Sequence, residues 1–393
     1  MHILHVNSGV DPRQGGPTTA MLALIHAQID AGLKISVAST FGRDFESGAA
    51  ERMRQVGADV HLIGPSTHVM AWHRNIKPML RKLIPQADVV HIHGLWEEIQ
   101  HRAAKLSRWF YKPYLFTPHG MLDPWSLRQG RLKKNIYLTA RLRKDLDQAT
   151  AIHFTDETER DVTTALGLAP KPIVERLIID LSDFQPPPPR GRFRALFSKQ
   201  LTDAQGERPF VLFMSRIHHK KGLDLLVPAF AEAIKRNDDA RTMLAIAGPN
   251  IGGYQATVEE LVKQHNLVDR VIFPGMLYGR DRAAAMVDAR LFALPSYQEN
   301  FGVVIIESLA AGTPVLISDQ VAIHRHVTEG QVGEVVTTKV EAVTDALCRW
   351  MRDDALRDAA ASRAQPYVNA HYDRLAQARR WVEHYQRLAG VIA

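Results

Sequence analysis

The sequence alternates short β-branched segments with helical segments such as Leu223 to Arg236. Five strand-like segments lie in the first half: His2 to Val6, Lys34 to Ser39, Val89 to His93, Tyr114 to Thr117 and Ala151 to Thr155. Five more lie in the second half: Phe210 to Met214, Thr242 to Ala247, Val271 to Phe273, Leu291 to Leu294 and Pro314 to Ile317. Strands that alternate with helices form parallel sheets covered by helices. The pattern therefore predicts an α/β protein built from two parallel-sheet units.

Four consecutive prolines, Pro186 to Pro189, interrupt this alternation. Proline continues neither a helix nor a central strand, and 393 residues are too many for one ordinary core. We therefore expect an N-terminal Rossmann-like domain at 1–185, a proline-rich interdomain region at 186–209 and a C-terminal Rossmann-like domain at 210–365. The last helix, 366–393, is expected to cross back to the N-terminal domain.

Composition and charge narrow the class of protein. Apolar residues make up 46% of the chain and charged residues 23%, as in ordinary globular proteins. The single cysteine, Cys348, excludes an intramolecular disulfide framework. Because the sequence shows neither a signal peptide nor an apolar stretch of bilayer length, a cytoplasmic location is expected. The formal net charge of +7 suits an anionic partner, such as a nucleotide, an acidic lipid or a nucleic acid.

Two glutamates follow the strand-like segment Leu291 to Leu294. Glu299 and Glu307 are eight positions apart, on either side of the start of a helix near Gly302. Unpaired N–H groups at a helix start can receive an anion or a sugar hydroxyl, and Glu299 is placed to accept hydrogen bonds from such hydroxyls. Each glutamate alone also fits a solvated position at a helix start. The two glutamates therefore indicate a ligand-binding site only together with the residues around them.

A basic turn follows the strand-like segment Phe210 to Met214. Arg216 and Lys221 flank this turn, and a helix begins near Gly222. Fixed cations stabilise the negative charge that develops on a departing diphosphate. A solvated basic turn is the alternative interpretation.

These two segments resemble family 4 of the retaining glycosyltransferases. That family carries Ser-Arg-x4-Lys-Gly after the first strand of its C-terminal domain and Glu-x7-Glu further on, and Arg216, Lys221, Glu299 and Glu307 match those positions. The resemblance implies a GT-B fold, in which two Rossmann-like domains face each other across a cleft. It also implies that Arg216 and Lys221 hold the donor diphosphate, that Glu299 contacts the transferred sugar, and that Glu307 contacts the donor ribose.

Further segments resemble the same family. A Gly-Gly loop follows the first strand, Gly248-Pro249 is similar to another family landmark, and Thr117 to Trp125 is similar to a segment of members that assemble surface polysaccharides. His119 in that segment is a candidate for contacting the sugar near its anomeric centre, whereas His91 and His93 are expected to be structural. The catalytic candidates are His119, Arg216, Lys221 and Glu299; the donor-binding candidates are Gly15, Gly16, Gly248, Phe301, Gly302, Val303 and Glu307.

The resemblance implies transfer of a sugar, with retention at the anomeric carbon, to a hydroxyl of a saccharide or lipid-linked saccharide in cell-surface polysaccharide synthesis. The donor is a nucleotide-diphosphate sugar, and the sequence specifies neither its base nor its sugar. No cofactor and no metal are expected, because no Asp-x-Asp cluster follows a strand and Arg216 and Lys221 can take over the electrostatic role of a cation. At the expected domain junction, Arg176 to Asp180 stands where family members carry an Asn-Gly-Ile-Asp-like turn, so no role is assigned to Asp180.

Other partners and other functions are also compatible with parts of the sequence. The stretch Arg128 to Lys144 has the composition of a basic amphipathic helix, which fits either a solvated face or peripheral contact with an anionic membrane at its inner face. A nucleic-acid partner is disfavoured because the basic residues are dispersed without an aromatic platform. A dehydrogenase is disfavoured because no Gly-x-Gly-x-x-Gly fingerprint is present. A noncatalytic GT-B-like scaffold that binds nucleotide or carbohydrate remains the alternative function.

Overall fold

The structure is a computed structural model that describes residues 1–11, 16–67, 70–128, 134 and 136–392. The chain divides into two compact units. The first comprises Met1–Ile179 and Tyr372–Ala393, and the second comprises Asp180–His371. Among the described residues, no helix combines the length and the apolar composition needed to cross a lipid bilayer.

The first unit contains a seven-stranded parallel sheet. Its strands are β1 (His2–Asn7), β2 (Lys34–Thr40), β3 (Asp59–Ile63), β4 (Val89–His93), β5 (Tyr114–Thr117), β6 (Ala151–Phe154) and β7 (Lys171–Val174). They lie in the order β3-β2-β1-β4-β5-β6-β7. This is the doubly wound order of Rossmann-like sheets, and the direction of winding reverses between β1 and β4.

The second unit contains a six-stranded parallel sheet and a small hairpin. The hairpin pairs β8 (Thr202–Asp203) with β9 (Gly206–Glu207), and the sheet strands are β10 (Phe210–Met214), β11 (Met243–Ala247), β12 (Val271–Gly275), β13 (Leu291–Leu294), β14 (Val315–Ser318) and β15 (Gly333–Val336). The sheet order is β12-β11-β10-β13-β14-β15, so the winding reverses between β10 and β13. Ligands of such sheets bind beyond the carboxyl ends of the strands at this reversal.

Helices cover both sheets. Those of the first unit are Gly16–Asp30, Gly48–Gln55, Ile76–Leu83, Glu98–Trp109, Pro124–Arg128, Arg143–Asp147, Glu157–Thr164 and Arg374–Leu388, with a 3₁₀ turn at Ile84–Gln86 and a short π-helix at Leu138–Leu142. Those of the second are Arg192–Leu196, Ser198–Leu201, Leu223–Arg236, Tyr254–Gln264, Gly279–Asp288, Val303–Ala310, His324–Gly330, Val340–Arg352 and Asp354–His371, with short turns at Ser182–Phe184 and His219–Lys221. Two parallel-sheet units with helical layers confirm the predicted α/β fold class.

The central strands form because their side chains are apolar on both faces. Every residue of β10, β11 and β13 is buried, as expected for a parallel sheet that helices cover on both sides. In the first unit, the last helix contributes Trp381 and Tyr385 to the core that contains β1 and β2 residues. The C-terminal helix thus belongs to the first unit.

The proline-rich segment was expected to form an interdomain region at 186–209, but it lies within the second unit. The Asp288 carboxylate accepts hydrogen bonds from the backbone N–H groups of Gly191, Phe193 and Arg194 at 2.6, 2.9 and 3.1 Å, and Phe193 is fully buried. The prolines prevent regular structure locally, but the residues that follow them pack as part of the unit. The change of unit falls instead at Ile179 and Asp180.

Candidate active site

The basic turn after β10 is held against the segment after β13. Gly222, with φ of 71°, ends the short turn His219–Lys221. A Cβ atom added to Gly222 would lie 2.0 Å from the carbonyl oxygen of Pro295, so only glycine permits this close approach. The N–H of Tyr297 donates to the carbonyl of Lys220 at 2.9 Å. Both segments therefore meet at the carboxyl edge of the sheet, where the winding reverses.

Lys221 and Glu299 form an ion pair at this edge. The Lys221 side chain is buried, whereas the Glu299 side chain is 20% exposed. The backbone of Glu299 is fixed on both sides, since its N–H donates to the Gln320 carbonyl at 3.2 Å and its carbonyl accepts from the Ala322 N–H at 3.0 Å. The pair presents an ammonium group and a carboxylate from fixed backbone, which suits recognition of an anion beside a hydroxyl.

Gly248 packs against the backbone of the segment that carries Arg216, also in the second unit. Gly248, with φ of 140°, would place an added Cβ atom 1.8 Å from the Ser215 carbonyl oxygen. Its N–H donates to the Gly275 carbonyl at 2.8 Å. The Arg216 side chain is exposed and forms no ion pair within the described part of the chain. Its guanidinium therefore retains its hydrogen-bonding capacity for a ligand.

The helix Val303–Ala310 begins beside the same edge. Gly302 precedes it with φ of 76°, a left-handed conformation that favours glycine. Phe301 is buried and anchors the helix start, and Val303 is half-buried. The first N–H groups of a helix have no acceptor inside the helix, so this end can bind a negatively charged or hydroxyl oxygen.

Glu307 lies inside the helix and is buried. Nη1 of Arg282 lies 3.1 Å from Oε1 of Glu307, and Nη2 of Arg282 lies 3.4 Å from Oδ2 of Asp183. Burial raises the pKa of the Glu307 carboxyl; the Arg282 cation opposes this shift, and the negative charges of Asp183 and Asp180 add to it. Arg282 was not among the residues predicted from the sequence, because nothing in the sequence pairs it with a glutamate 25 positions away.

His119 lies in the first unit, directly after β5. Its φ is +52°, an unusual value for a residue with a side chain, and the next residue, Gly120, has φ of 73°. The N–H of Gly120 donates to the buried Glu159 carboxylate at 2.6 Å. Burial, together with the neighbouring His153, lowers the pKa of His119 to about 3. His119 is therefore neutral near neutral pH and is held in a strained loop, a feature frequent at functional sites.

The glycine loop of the first unit is described only in part. Gly15 lies outside the described residues, and Gly16 begins the helix Gly16–Asp30. The first unit also brings together His5, His91 and His93, and one ring nitrogen of each lies within 4.8 Å of one nitrogen of the other two. This cluster was not predicted from the sequence, because its members come from β1 and β4, which are distant in sequence but adjacent in the sheet.

Comparison with solved structures defines the class of fold. The structure of Anabaena HepE in complex with UDP-glucose matches with a TM-score of 0.78 over 98% of this chain and all of that chain, at 17% identity. The protein therefore has the two-unit α/β architecture of the GT-B class. The family model described as Glycosyltransferase Family 4 matches residues 14–175, and the model described as Glycosyl transferases group 1 matches residues 197–366. The chain belongs to the family 4 glycosyltransferases, which confirms the resemblance seen in its sequence.

Curated relatives match over shorter regions. The alpha-D-kanosaminyltransferase of Streptomyces kanamyceticus is 28% identical over 227 residues, which is 57% of each chain. The phosphatidyl-myo-inositol mannosyltransferase of Mycobacterium leprae is 34% identical over 152 residues, which is 38% of each chain. The chain thus spans about two fifths to three fifths of the length of these relatives.

Proposed function

We propose that this protein is a retaining glycosyltransferase that moves a sugar from a nucleotide-diphosphate donor to a hydroxyl of a saccharide or lipid-linked saccharide acceptor, in cell-surface polysaccharide synthesis. The observation that carries the proposal is the ion pair between Lys221 and Glu299. It joins the two sequence segments that carry the family pattern. Family membership and the fold support the same class of activity.

In this proposal the cations act on the leaving group. Arg216 and Lys221 bind the donor diphosphate and stabilise the charge that develops on it as the glycosidic bond breaks. Glu299 accepts a hydrogen bond from a hydroxyl of the transferred sugar. The start of the helix Val303–Ala310, with Phe301 and Gly302, lies against the donor and contributes backbone N–H groups.

In the same proposal, Glu307 binds the ribose of the donor. Its Oε1 faces Arg282 at 3.1 Å, which fixes the carboxylate and leaves its second oxygen for a ribose hydroxyl. The buried setting strengthens that hydrogen bond, because the surroundings screen charge weakly. Gly248 and, in the first unit, Gly15 and Gly16 are proposed to admit the donor close to the backbone.

The proposed reaction uses no cofactor and no metal ion. Arg216 and Lys221 supply the positive charge that a divalent cation supplies to diphosphates in other enzymes. We expect turnover to persist in an excess of a chelator such as EDTA. Loss of turnover with EDTA that returns only on addition of a divalent cation would contradict this part of the proposal.

The donor is tested first by binding. HepE is described in complex with UDP-glucose, and several relatives are described as mannosyltransferases, so the screen includes UDP, GDP and ADP with their common sugar conjugates. A ligand that binds the folded state raises its melting temperature. A base-selective rise names the donor class. No rise with any nucleotide would contradict the proposal.

Turnover separates the enzyme from the alternative of a noncatalytic scaffold. We expect product formation from the selected donor with saccharide or lipid-linked acceptors, and an NMR spectrum of the product with the anomeric configuration of the donor. Binding without turnover in the wild-type protein would favour the scaffold. A product with inverted anomeric configuration would still show a glycosyltransferase, but it would contradict the retaining mechanism.

We also propose a cytoplasmic protein in peripheral contact with an anionic membrane, and no nucleic-acid partner. The stretch 128–144 lies partly outside the described residues, which omit 129–133 and 135. Within the described part, Trp109 and Tyr111 are 72% and 95% exposed beside a concavity of about 740 Å³ that Lys105 and Lys144 also line. Exposed aromatic and basic side chains together suit a lipid headgroup surface.

Vesicle sedimentation tests this contact. The wild-type protein should sediment with vesicles that contain phosphatidylglycerol and remain in solution with pure phosphatidylcholine. The variant W109A/Y111A should sediment less, whereas Y278A, which removes another exposed aromatic residue in the second unit, should behave as wild type. Equal sedimentation with both lipids would rule out this contact.

A further inference from the structure

Five histidines of the first unit belong to one continuous chain of hydrogen bonds. They lie on neighbouring strands or directly after one: His5 on β1, His91 and His93 on β4, His119 after β5 and His153 on β6. Three other side chains complete the chain: Gln28, Thr117 and Tyr385, all buried. One end of the chain is the backbone carbonyl of Glu175, and the other end is His119.

The carbonyl of Glu175 sets the direction of the first bonds, because a carbonyl can only accept. Nε2 of His153 lies 2.7 Å from it and must carry a hydrogen. In a neutral imidazole the other nitrogen then accepts, so Nδ1 of His153 accepts from the Thr117 hydroxyl at 2.9 Å. Thr117 has only one hydrogen to donate, so it accepts from Nε2 of His91 at 2.6 Å.

The hydrogen bonds continue through Tyr385 of the last helix. Nδ1 of His91 accepts from the Tyr385 hydroxyl at 2.8 Å, and the Tyr385 oxygen accepts from the Gln28 side-chain NH₂ at 2.8 Å. This fixes the orientation of the Gln28 amide. Its oxygen must face Nε2 of His5, which lies 2.8 Å away and donates to it.

The final bonds reach the candidate site. With its hydrogen on Nε2, His5 accepts at Nδ1 from Nε2 of His93 at 2.9 Å. His93 then accepts at Nδ1 from Nε2 of His119 at 3.2 Å. Every one of these hydrogen bonds points in one direction along the chain, from His119 towards Glu175.

These hydrogen-bond directions require neutral imidazoles, and burial keeps the rings neutral. Burial lowers the pKa of His5 and of His153 to about 4. Burial also lowers the pKa values of His91 and His93 well below the ordinary range, and their histidine neighbours add to the effect. The pKa of His119 is lowered in the same way. Each ring therefore carries a single N–H near neutral pH.

We propose that this chain holds His119 in the Nε2–H tautomer, so that its Nδ1 is a hydrogen-bond acceptor for a ligand hydroxyl. Nδ1 of His119 has no hydrogen-bond partner among the described residues, and the side chain is half-buried. An acceptor takes a hydroxyl and does not take a phosphate or carbonyl oxygen. This inference rests on the proposed glycosyltransferase function and adds a role to it, in which His119 recognises a hydroxyl of the sugar. Gln28 and Tyr385 are positioning residues, which act on the ligand only through His119.

The backbone also holds His119 in place. The left-handed φ of His119 costs free energy, because the residue has a side chain, and it persists only where the surroundings enforce it. Here the Glu159 carboxylate enforces the loop conformation, because it accepts from the Gly120 N–H at 2.6 Å and from the Thr155 N–H and hydroxyl at 2.8 Å. Both the loop and the ring of His119 are thus held in place.

A metal ion bound to His5, His91 and His93 is the competing interpretation of the cluster. A metal needs an unused lone pair on each ligand, with the other ring nitrogen free to bond elsewhere. All six ring nitrogens of these residues already have hydrogen-bond partners, and His5 and His93 bond directly to each other. Metal binding would therefore break the chain.

NMR of the full-length protein labelled with ¹⁵N-histidine tests the proposal without any donor. Long-range ¹H–¹⁵N correlation spectra distinguish the two neutral tautomers, and H119N identifies the signals of His119. We expect His119 as a single Nε2–H tautomer near neutral pH. An Nδ1–H tautomer, a mixture, or a charged ring in the wild-type protein would overturn the proposal.

A variant pair tests the role of the chain. Y385F removes the hydroxyl that fixes the Gln28 amide, so the amide can rotate and reverse the bonds through His5 and His93; His119 should become a mixture of tautomers. Y114F removes another buried tyrosine hydroxyl of the same unit, which bonds to Arg108 and Asp145, and should leave His119 unchanged. An unchanged His119 in folded Y385F would overturn the positioning role, and the wild-type spectrum still decides the tautomer if Y385F does not fold.

Two further results separate this inference from the proposed function. Coordination of added Zn²⁺ by the rings of His5, His91 and His93, seen as shifts of their ¹⁵N signals, would overturn the inference. The protein could show the Nε2–H tautomer at His119 and yet bind no nucleotide sugar. That result would overturn the proposed function and the sugar as the ligand of His119, but it would leave the tautomer assignment intact.

Discussion

The ammonium group of Lys221 and the carboxylate of Glu299 form an ion pair, although 78 positions separate them in the sequence. The pair exists because β10 and β13 are neighbours in the sheet and the segments that follow them meet at one edge. In the free protein each charge therefore neutralises the other. A bound donor would place its diphosphate and its sugar against groups that are already held in position.

Neutralising Lys221 should abolish most of the turnover. We expect K221A to lower kcat about 10²- to 10³-fold, as loss of one fixed group that stabilises transition-state charge does elsewhere. K235A removes an exposed lysine of the same unit and should retain wild-type kcat. Steady-state kinetics with the donor identified by the binding screen provide the measurement. Wild-type turnover in K221A would remove Lys221 from the mechanism.

Gly222 allows the two segments to meet, so its replacement should cost both stability and activity. In G222A the new Cβ atom would lie 2.0 Å from the Pro295 carbonyl oxygen, at a residue whose φ is 71°. G253A is the matched control, because Gly253 has φ of 77° but no atom within 4 Å of an added Cβ. We expect G253A to lower the free energy of unfolding by about 1 kcal/mol and G222A to lower it by clearly more, since a steric clash adds to the strain.

Urea unfolding followed by circular dichroism measures this difference. G253A should also keep its turnover, whereas G222A should lose turnover because the Lys221 turn must move away from β13. Equal losses of stability in the two variants would mean that the contact with Pro295 does not limit residue 222.

The sequence predicted the interior of both sheets better than their edges. Within the two parallel sheets, the strands that it missed, β3, β7 and β15, all lie at an edge. It also missed the short hairpin of β8 and β9. Edge strands are half-solvated and mix polar with apolar residues, as in Lys171–Val174 and Gly333–Val336. The helix Leu223–Arg236, in contrast, was predicted with the correct bounds, because its apolar positions repeat along one face.

The candidate site shows the same division. The linked spacing of Arg216, Lys221, Glu299 and Glu307 is visible in the sequence because each residue follows a strand or enters a helix near one. Partners from other elements are not visible. Nothing in the sequence indicates that Arg282 faces Glu307, or that Tyr385 of the last helix bonds to His91 of β4, because these contacts depend on tertiary packing.

Removal of Arg282 should destabilise the second unit through Glu307. R282M leaves a buried carboxylate without its cation, and we expect a loss of about 3 kcal/mol at pH 7.5. The pKa of Glu307 is already raised by burial, and loss of Arg282 raises it further. A group with a raised folded-state pKa loses stability as pH increases, so the deficit of R282M relative to wild type should shrink towards pH 5.

The double variant R282M/E307Q provides the control for that experiment. Glutamine removes the charge while keeping the shape, so it should restore much of the stability lost in R282M and should abolish the pH dependence of the difference. A pH-dependent deficit that persists in the double variant would show that another carboxyl, such as Asp183, is the main partner of Arg282.

The histidine chain predicts that the first unit loses stability in mild acid. Near pH 6.5 the unfolded chain begins to take up protons on its histidines, whereas the five rings of the folded chain stay neutral because burial lowers their pKa values. The unfolded state thus binds more protons, and the free energy of unfolding must fall as the pH falls. Each ring contributes about 1 kcal/mol between pH 6 and pH 5, and the sum over the five rings is comparable to the stability of an ordinary domain.

Hydrogen exchange followed by mass spectrometry at pH 7.5 and pH 5, corrected for the intrinsic exchange rate, assigns this loss of stability to one of the two units. Protection should fall in β1 and β4 and persist in β10 and β13, where no such chain exists among the described residues. An equal fall in both units would mean that the histidines do not control the acid response.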